Sequence, residues 1–475
     1  MPKRTFVPSL TLPCLLLFVS ACSRSAEPES ATSTVTVIEG ATLIDGTGKA
    51  PVAGTTIVLD GARIRQIGRK GELKTPAGAR VINAEGKYVL PGLIDAHVHY
   101  NKPWLHRLYL ANGVTSVRDL GSRVEEVKPL SAEIAAGKVL APRLFFNGTP
   151  INKSSIKASG GTARELTAKL VKEGVIGIKV TGFTEAQMQD IAEVAHAAGL
   201  LVYGHTGPKV NKEAPGAMVA INAGLDGVEH VVQIVEDCLD KKVVLPPDFP
   251  GFDTGSRGPL FRYYYAHMEA AFNPALLDKL IQRMVEKHTY LDPTLVNYER
   301  NFAMRNTPEL AADPDLKYMP EDRADRYGHY EAADREAWKK VIEIMKQATY
   351  KFYKAGGFLV VGTDSQASAP DGALPGWSLH QEMAELVKVG IPPMDVLKAT
   401  TLSNAQIMKQ EKELGTVEAG KLADLLIVDA NPLQDIRNSQ KIYRVIKDGQ
   451  VLDPQQLLQD NLKEYGERKN PPTVF

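Results

Sequence analysis

Cysteine is scarce, with Cys14, Cys22 and Cys238 the only three in 475 residues. If Cys14 leaves with a cleaved leader and Cys22 is lipidated, Cys238 has no partner for an intramolecular disulfide, and stability must come from packing. Excess charge is absent too, since Lys plus Arg and Asp plus Glu each total 56. That balance removes the electrostatic signature of a nucleic-acid or anionic-surface binder. Beyond the N-terminal segment no apolar run reaches the roughly 20 residues that span a bilayer. There is no low-complexity tract and no internal repeat beyond a β/α alternation. What is present is a 44% hydrophobic chain, enough for a large core in one big domain with a smaller companion.

The first residues read as an export signal. Lys3 and Arg4 precede the apolar stretch Leu10 to Val19, which meets Val19-Ser20-Ala21-Cys22. That ending resembles a bacterial lipobox, so the expectation is a lipoprotein signal peptide over 1–21, lipidation of Cys22, and Ser23 permitting sorting to the outer membrane, facing the periplasm. An ordinary cleaved signal and an uncleaved anchor are the alternatives. Residues 22–33, rich in Ser, Glu, Ala and Thr, read as a flexible tether. Removing 1–21 takes away Lys3 and Arg4 and no acidic residue, leaving the remainder slightly acidic.

Short alternating strands dominate from Thr34 to Leu90, and similar material returns in Ala423 to Asp429 and Tyr443 to Val451. The two ends are expected to pair into a composite β-sandwich over 34–90 and 414–475. Between them, over 91–413, strand patterns recur at 92–97, 113–119, 143–147, 177–180, 201–205, 227–230, 289–293 and 358–364. Helical patterns such as Glu185 to Ala198 and Trp338 to Ala355 separate them. Eight strands alternating with helices predict an α/β fold, a (β/α)8 TIM barrel, with a doubly wound open sheet as the alternative.

Polar residues sit at the ends of these strands. In Leu90-Pro-Gly-Leu-Ile-Asp-Ala-His97-Val-His99 the two imidazoles lie at i and i+2, so both point to one face and can reach one cation. Lys179 ends the fourth strand, His205 the fifth, His230 the sixth and Asp364 the eighth. Singly, each has a bland reading, such as a satisfied core histidine or a turn cap. In a barrel, all the strand ends meet at one mouth.

These residues, with Gly113-Val-Thr-Ser-Val-Arg-Asp119, Ile178-Lys179-Val180, Tyr203-Gly-His205, Val228-Glu-His230, Gly362-Thr-Asp364 and Gly415-Thr-Val-Glu-Ala-Gly-Lys-Leu-Ala-Asp424, carry a resemblance. The chain resembles the amidohydrolase superfamily, in its imidazolonepropionase-like and prolidase-like (metal-dependent dipeptidase) branch. The resemblance implies a barrel beside a split β-sandwich and two divalent ions, zinc above all. It implies that His97, His99 and Asp364 bind the more buried ion, that His205 and His230 bind the second, and that Lys179 bridges both as a carbamate. A carbamate is anionic and offers two oxygens, whereas an ammonium cannot ligate. Asp364 is implied as the general base for a metal-bridging hydroxide.

Specificity is expected in the loops, especially 231–287, where Arg262, Tyr264 and His267 are candidate substrate contacts, together with Tyr203. A lid helix with its tyrosines packed on the barrel is the alternative for that segment, and packing the alternative for Tyr203. His380 and Glu382 begin a helix and receive a structural reading. The expected activity is hydrolysis of amide or peptide bonds in small substrates: dipeptides, including Xaa-Pro, or N-acyl amino acids. The alternatives are a lactonase, carboxylesterase or phosphotriesterase on the same site, or a non-catalytic metal- or ligand-binding lipoprotein. The expected partner is a small-molecule substrate, with a homo-oligomer left open, and with no nucleic acid and no membrane contact except through Cys22.

Overall fold

The computed structural model describes residues 35–100, 106–206, 215–240, 268–319, 330–366 and 372–469. Cys22, the leader and the tether lie outside the described residues, as do Arg262, Tyr264 and His267. Among the described residues no helix is long and apolar enough to cross a membrane.

The first strands are β1 (Thr36–Leu43), β2 (Val52–Asp60), β3 (Arg63–Arg69), β4 (Arg80–Asn83) and β5 (Tyr88–Pro91). Their β-branched residues suit a pleated, half-buried surface, and Ile38, Ile57, Leu59, Ile64 and Val89 form its core. The chain returns to this sheet after some 330 residues with β14 (Leu425–Val428), β15 (Ile442–Lys447) and β16 (Gln450–Leu452). β14 pairs antiparallel with β5, Leu425 opposite Pro91 and Val428 opposite Tyr88, adding Leu425 and Ile427 to the same core. The expected pairing of the two ends therefore occurs, but as one continuous eight-stranded sheet in the order β16-β15-β14-β5-β1-β2-β3, with β4 beside β1. The strand pairing does not divide into the two facing sheets of a sandwich, because β5 joins the N-terminal strands directly to β14.

The middle strands are β6 (Leu93–His99), β7 (Val114–Asp119), β8 (Arg143–Phe146), β9 (Gly177–Val180), β10 (Leu201–Gly204), β11 (Gly227–Glu229), β12 (Tyr290–Asp292) and β13 (Ser365–Gln366). All pair in parallel, and the intervening helices, among them Ala163–Glu173, Glu185–Ala197, Pro274–Glu286 and Ala332–Lys354, supply crossovers. Helix boundaries follow local chemistry. Thr162 with Glu165, and Thr184 with Gln187, close capping boxes, and Gly174 ends the first of these helices in the left-handed region. Leu170, Ile191, Ile221 and Leu280 on the helices pack with Ile178, Val202, Val228 and Leu291 on the strands.

The ladders form two four-stranded sheets, β13-β6-β7-β8 and β12-β11-β10-β9, rather than one closed ring. The expected eighth strand, 358–364, makes only a single bridge, Leu359 to Leu291. Its backbone still bonds both neighbours, Ala96 donating to the Val361 carbonyl and Thr363 and Asp364 to the His97 carbonyl, and side chains brace it: Asn404 binds the Val361 backbone and the Ile94 carbonyl, while Asp95 accepts from the Thr363 hydroxyl and amide. At Asp364 the backbone turns left-handed, with φ of 55°, before the two residues of β13. The interior admits large rings because glycine lies beneath them. A Cβ at Gly177 would fall 2.3 Å from the Tyr203 hydroxyl, and one at Gly227 would fall 2.1 Å from Tyr290 Cζ.

Candidate active site

β6 delivers His97 and His99 on one face, as alternation requires, with ring centroids 5.8 Å apart. His230 follows β11 in the left-handed region, φ 73°, and its Nδ1 shares a 2.7 Å hydrogen bond with the Thr294 hydroxyl. These turns aim side chains at one point. His99 Nε2 is 2.9 Å and His97 Nε2 3.5 Å from Asp364 Oδ1, and His230 Nε2 is 4.0 Å from Asp364 Oδ2. His205, following β10, stacks edge-on against His230 at 4.7 Å between centroids. Lys179 on β9 is buried, and its charge acts on His97, His205 and His230.

Burial sets the protonation states. It pushes His97 down to about 3 and His230 to about 4, and holds His205 well below its ordinary value, with the Lys179 charge contributing at each. Burial also lowers Lys179, against the opposing pull of Glu229 and Asp364. Burial alone would raise Asp364, but His97, His99 and His230 outweigh it and hold the carboxyl well below the usual range. Neutral imidazoles, an amine eased toward neutrality and an ionised carboxylate are the forms that ligate.

Beneath them lies a layer that the sequence reading passed over. Arg118, fully buried on β7, donates to Glu229 Oε1 at 2.8 Å and to the Tyr290 hydroxyl at 2.9 Å. His97 Nδ1 lies 3.0 Å from Glu229 Oε2 and 3.2 Å from Asp292 Oδ2. Burial opposes charge on both carboxyls, but Arg118 holds Glu229 well below its usual value, and Glu229 in turn adds to the rise at Asp292. Asn297 donates to Asp364 Oδ2 at 2.9 Å. A signal is present in the sequence: Arg118, Glu229 and Asp292 are charged residues within short strands that are buried throughout.

The donor set fits a divalent cation. Ligand atoms of His97, His99 and Asp364 lie within 4.8 Å of one another. Nε2 of His97, Nε2 of His205 and Nζ of Lys179 are buried without a hydrogen-bond partner, which is costly unless something else satisfies them. His97, Glu229 and Asp292 form a second close group. Arg118 already neutralises that charge, so these carboxylates suit orienting His97 through Nδ1, as outer partners of metal-bound histidines do.

Tyr203 corrects one expectation. It is 1% exposed, its hydroxyl accepts from Asn147, and the Arg118 guanidinium stands 4.4 Å from its ring centroid. It packs the interior, which fits the packing alternative. The open approach is instead a cleft of about 660 Å³ lined by His99, Tyr100, Ser122, Arg123, Leu130 and Asp364. His380, bonded to Ser439 and the Asn112 carbonyl, is structural as expected.

Comparison with known proteins places the chain in a family. The amidohydrolase family model matches residues 88–452, and the chain belongs to that family of hydrolases. A dihydroorotase of Pelotomaculum thermopropionicum is 25% identical over 438 residues, covering 85% of this chain and 92% of its own. A putative prolidase from Bifidobacterium longum shares the fold with a TM-score of 0.62 at 25% identity, over 90% of this chain and 99% of its own. A Xaa-Pro dipeptidase crystallised with methionine in its active site does so with a TM-score of 0.63 at 22% identity, over 88% and 100%.

Proposed function

We propose that this protein is a metal-dependent amidohydrolase that cleaves amide or peptide bonds in small substrates, namely dipeptides, including Xaa-Pro, or N-acyl amino acids. The observation that carries the reading is the convergence of His97, His99 and Asp364 within 4.8 Å, beside buried and unpartnered His205 Nε2 and Lys179 Nζ. His97, His99 and Asp364 would hold one ion, and His205 and His230 the other. Zinc suits this imidazole-rich set, and bound divalent ions would lower the pKa of water and polarise the scissile carbonyl.

The remaining work falls to the chain. Lys179 Nζ, as the neutral amine, would add to carbon dioxide, forming an N–C bond as one C=O π bond opens and a proton leaves to solvent, and the resulting carbamate, its single negative charge shared over two oxygens, would offer ligand atoms to the cations. Asp364 accepts a proton from the attacking water and passes it to the leaving nitrogen. Glu229 and Asp292 keep the His97 ring turned toward the site. Substrate would lie in the cleft, with its side chain against Tyr100 and Leu130 and its polar end toward Ser122 and Arg123. The two parallel sheets are the halves of a (β/α)8 barrel. Backbone hydrogen bonds across the seams, Ile176 to Phe146 on one side and Leu291 to Phe358 with Val360 to Leu291 on the other, support this.

The dihydroorotase match and the prolidase-like folds support carbon–nitrogen hydrolysis. A library of dipeptides and N-acyl amino acids, tested beside lactones, esters and phosphotriesters, decides the point. Metal-dependent amino-acid release is expected, and turnover confined to lactones or esters would overturn it. The leader and Cys22 support export and lipid anchoring to the outer membrane. Cys22→Ser should abolish palmitate labelling and membrane retention, and unchanged retention would refute the anchor.

A further inference from the structure

The loop after β12 touches the site twice, at Thr294 on His230 and at Asn297 on Asp364, and its first residue is strained. Thr294 is a β-branched residue in the left-handed region, φ 50°, and the helix it begins, Leu295–Tyr298, runs directly into a π-helical turn over Glu299–Ala303. Glu382 holds it from outside. This fully buried carboxylate on the helix Trp377–Lys388 accepts the Leu295 amide at 3.0 Å on Oε1 and the Val296 amide at 2.7 Å on Oε2. Its helix is itself braced, because His380, one half-turn earlier, binds the Asn112 carbonyl and the Ser439 hydroxyl.

We infer that Glu382 is a positioning residue for the active site: by clamping the amides of Leu295 and Val296 it fixes Thr294 against His230 and Asn297 against Asp364. The inference rests on the proposed hydrolase reading for the roles of those two residues. The Glu382 carboxyl satisfies two buried amides at once, and an apolar replacement would leave both donors unsatisfied. Freed, the loop would release both its contacts together. Asp364 would lose the donor that fixes Oδ2, and His230 the partner that fixes which ring nitrogen faces inward.

The test compares Glu382→Ala and Glu382→Gln with the wild type in three measurements on the full chain. These are hydrogen exchange over 293–299, the rate at which a chelator strips bound zinc, and kcat and KM per folded, zinc-loaded molecule. In Glu382→Ala we expect faster exchange in that segment, zinc release faster on the order of ten- to a hundredfold, and a comparable fall in kcat with KM near wild type. Glu382→Gln, whose amide oxygen still accepts one bond, should fall between. A Glu382→Ala protein that melts lower but releases zinc and turns over as wild type does would reduce Glu382 to a structural cap and overturn the inference. Should Glu382→Ala not fold, Thr294→Val with Asn297→Ala cuts the two links beyond it and must reproduce both losses, and wild-type behaviour there overturns it equally. A wild-type protein that holds zinc but hydrolyses no amide sinks the proposed function alone, and zinc release then decides this inference.

Discussion

His99 Nε2 stands 2.9 Å from Asp364 Oδ1, joining the end of β6 to the left-handed turn that starts β13. The two residues are 265 positions apart in sequence, and parallel pairing of β13 with β6 brings them together. Asp364 has two tasks in the proposed reaction, and substitution separates them. Asp364→Asn keeps an oxygen and should retain most bound metal, while kcat falls on the order of a hundred- to ten-thousandfold. Metal analysis beside steady-state kinetics checks this, and full activity would remove Asp364 as the base.

Lys179 is buried without a partner for its Nζ, a poor state for an ammonium. Lys179→Ala should lose activity and recover part of it when acetate or formate is added, because a free carboxylate can occupy the carbamate's place. Unchanged rate and metal content in the variant would argue against carboxylation.

Gly362 lies where the expected eighth strand passes His97 and Asp292. A Cβ there would fall 2.4 Å from both Asp292 Oδ2 and His97 Cβ, closer than side chains tolerate. Gly362→Ala should therefore displace His97, lowering stability by roughly 1–3 kcal/mol and weakening zinc binding. Denaturant titration and zinc competition check both effects, and a variant with wild-type stability and zinc affinity would mean that the strand moves freely.

His380 gives a pH dependence away from the site. Burial lowers it from an ordinary value near 6.5 to about 4, so the unfolded chain binds the proton more readily. Its contribution is full above 6.5 and is lost as pH falls toward 4, roughly 3 kcal/mol over that window. Glu382, raised to about 8, and Asp95, raised to about 7, act with the opposite sign, their contribution fading as pH rises. The comparison is therefore between wild type and His380→Gln across a pH series: their stability difference should shrink on acidification, and a constant difference would contradict the assignment.

Most of the site was legible because its residues end strands whose apolar patterns are strong. His97, His99, His205, His230 and Asp364 could be placed once the β/α alternation was seen. What escaped depends on contacts across the fold. Glu229 stands in sequence only as the neighbour of His230, and its partner Arg118 lies 111 residues away. Asn297 and Thr294 act from a loop with no periodicity, and Glu382 works through backbone amides, which leave no mark in sequence. The eighth strand was expected to be regular, but its backbone bonds to the His97 carbonyl are interleaved with bonds from Val361 to Asn404, Gly362 to Asp292 and Thr363 to Asp95. The terminal strands predicted the union of the two ends, whereas their arrangement as one sheet depended on the β5 to β14 register, which no local pattern encodes.

The central claim is that the gathered imidazoles, Lys179 and Asp364 hold metal that hydrolysis requires. The most direct measurement is metal content per chain together with dipeptide and N-acyl amino-acid turnover, before chelation, after it, and after zinc is restored. The account predicts two divalent ions per chain, loss of both metal and turnover on chelation, and recovery of both with zinc. Undiminished turnover by metal-free protein would contradict it.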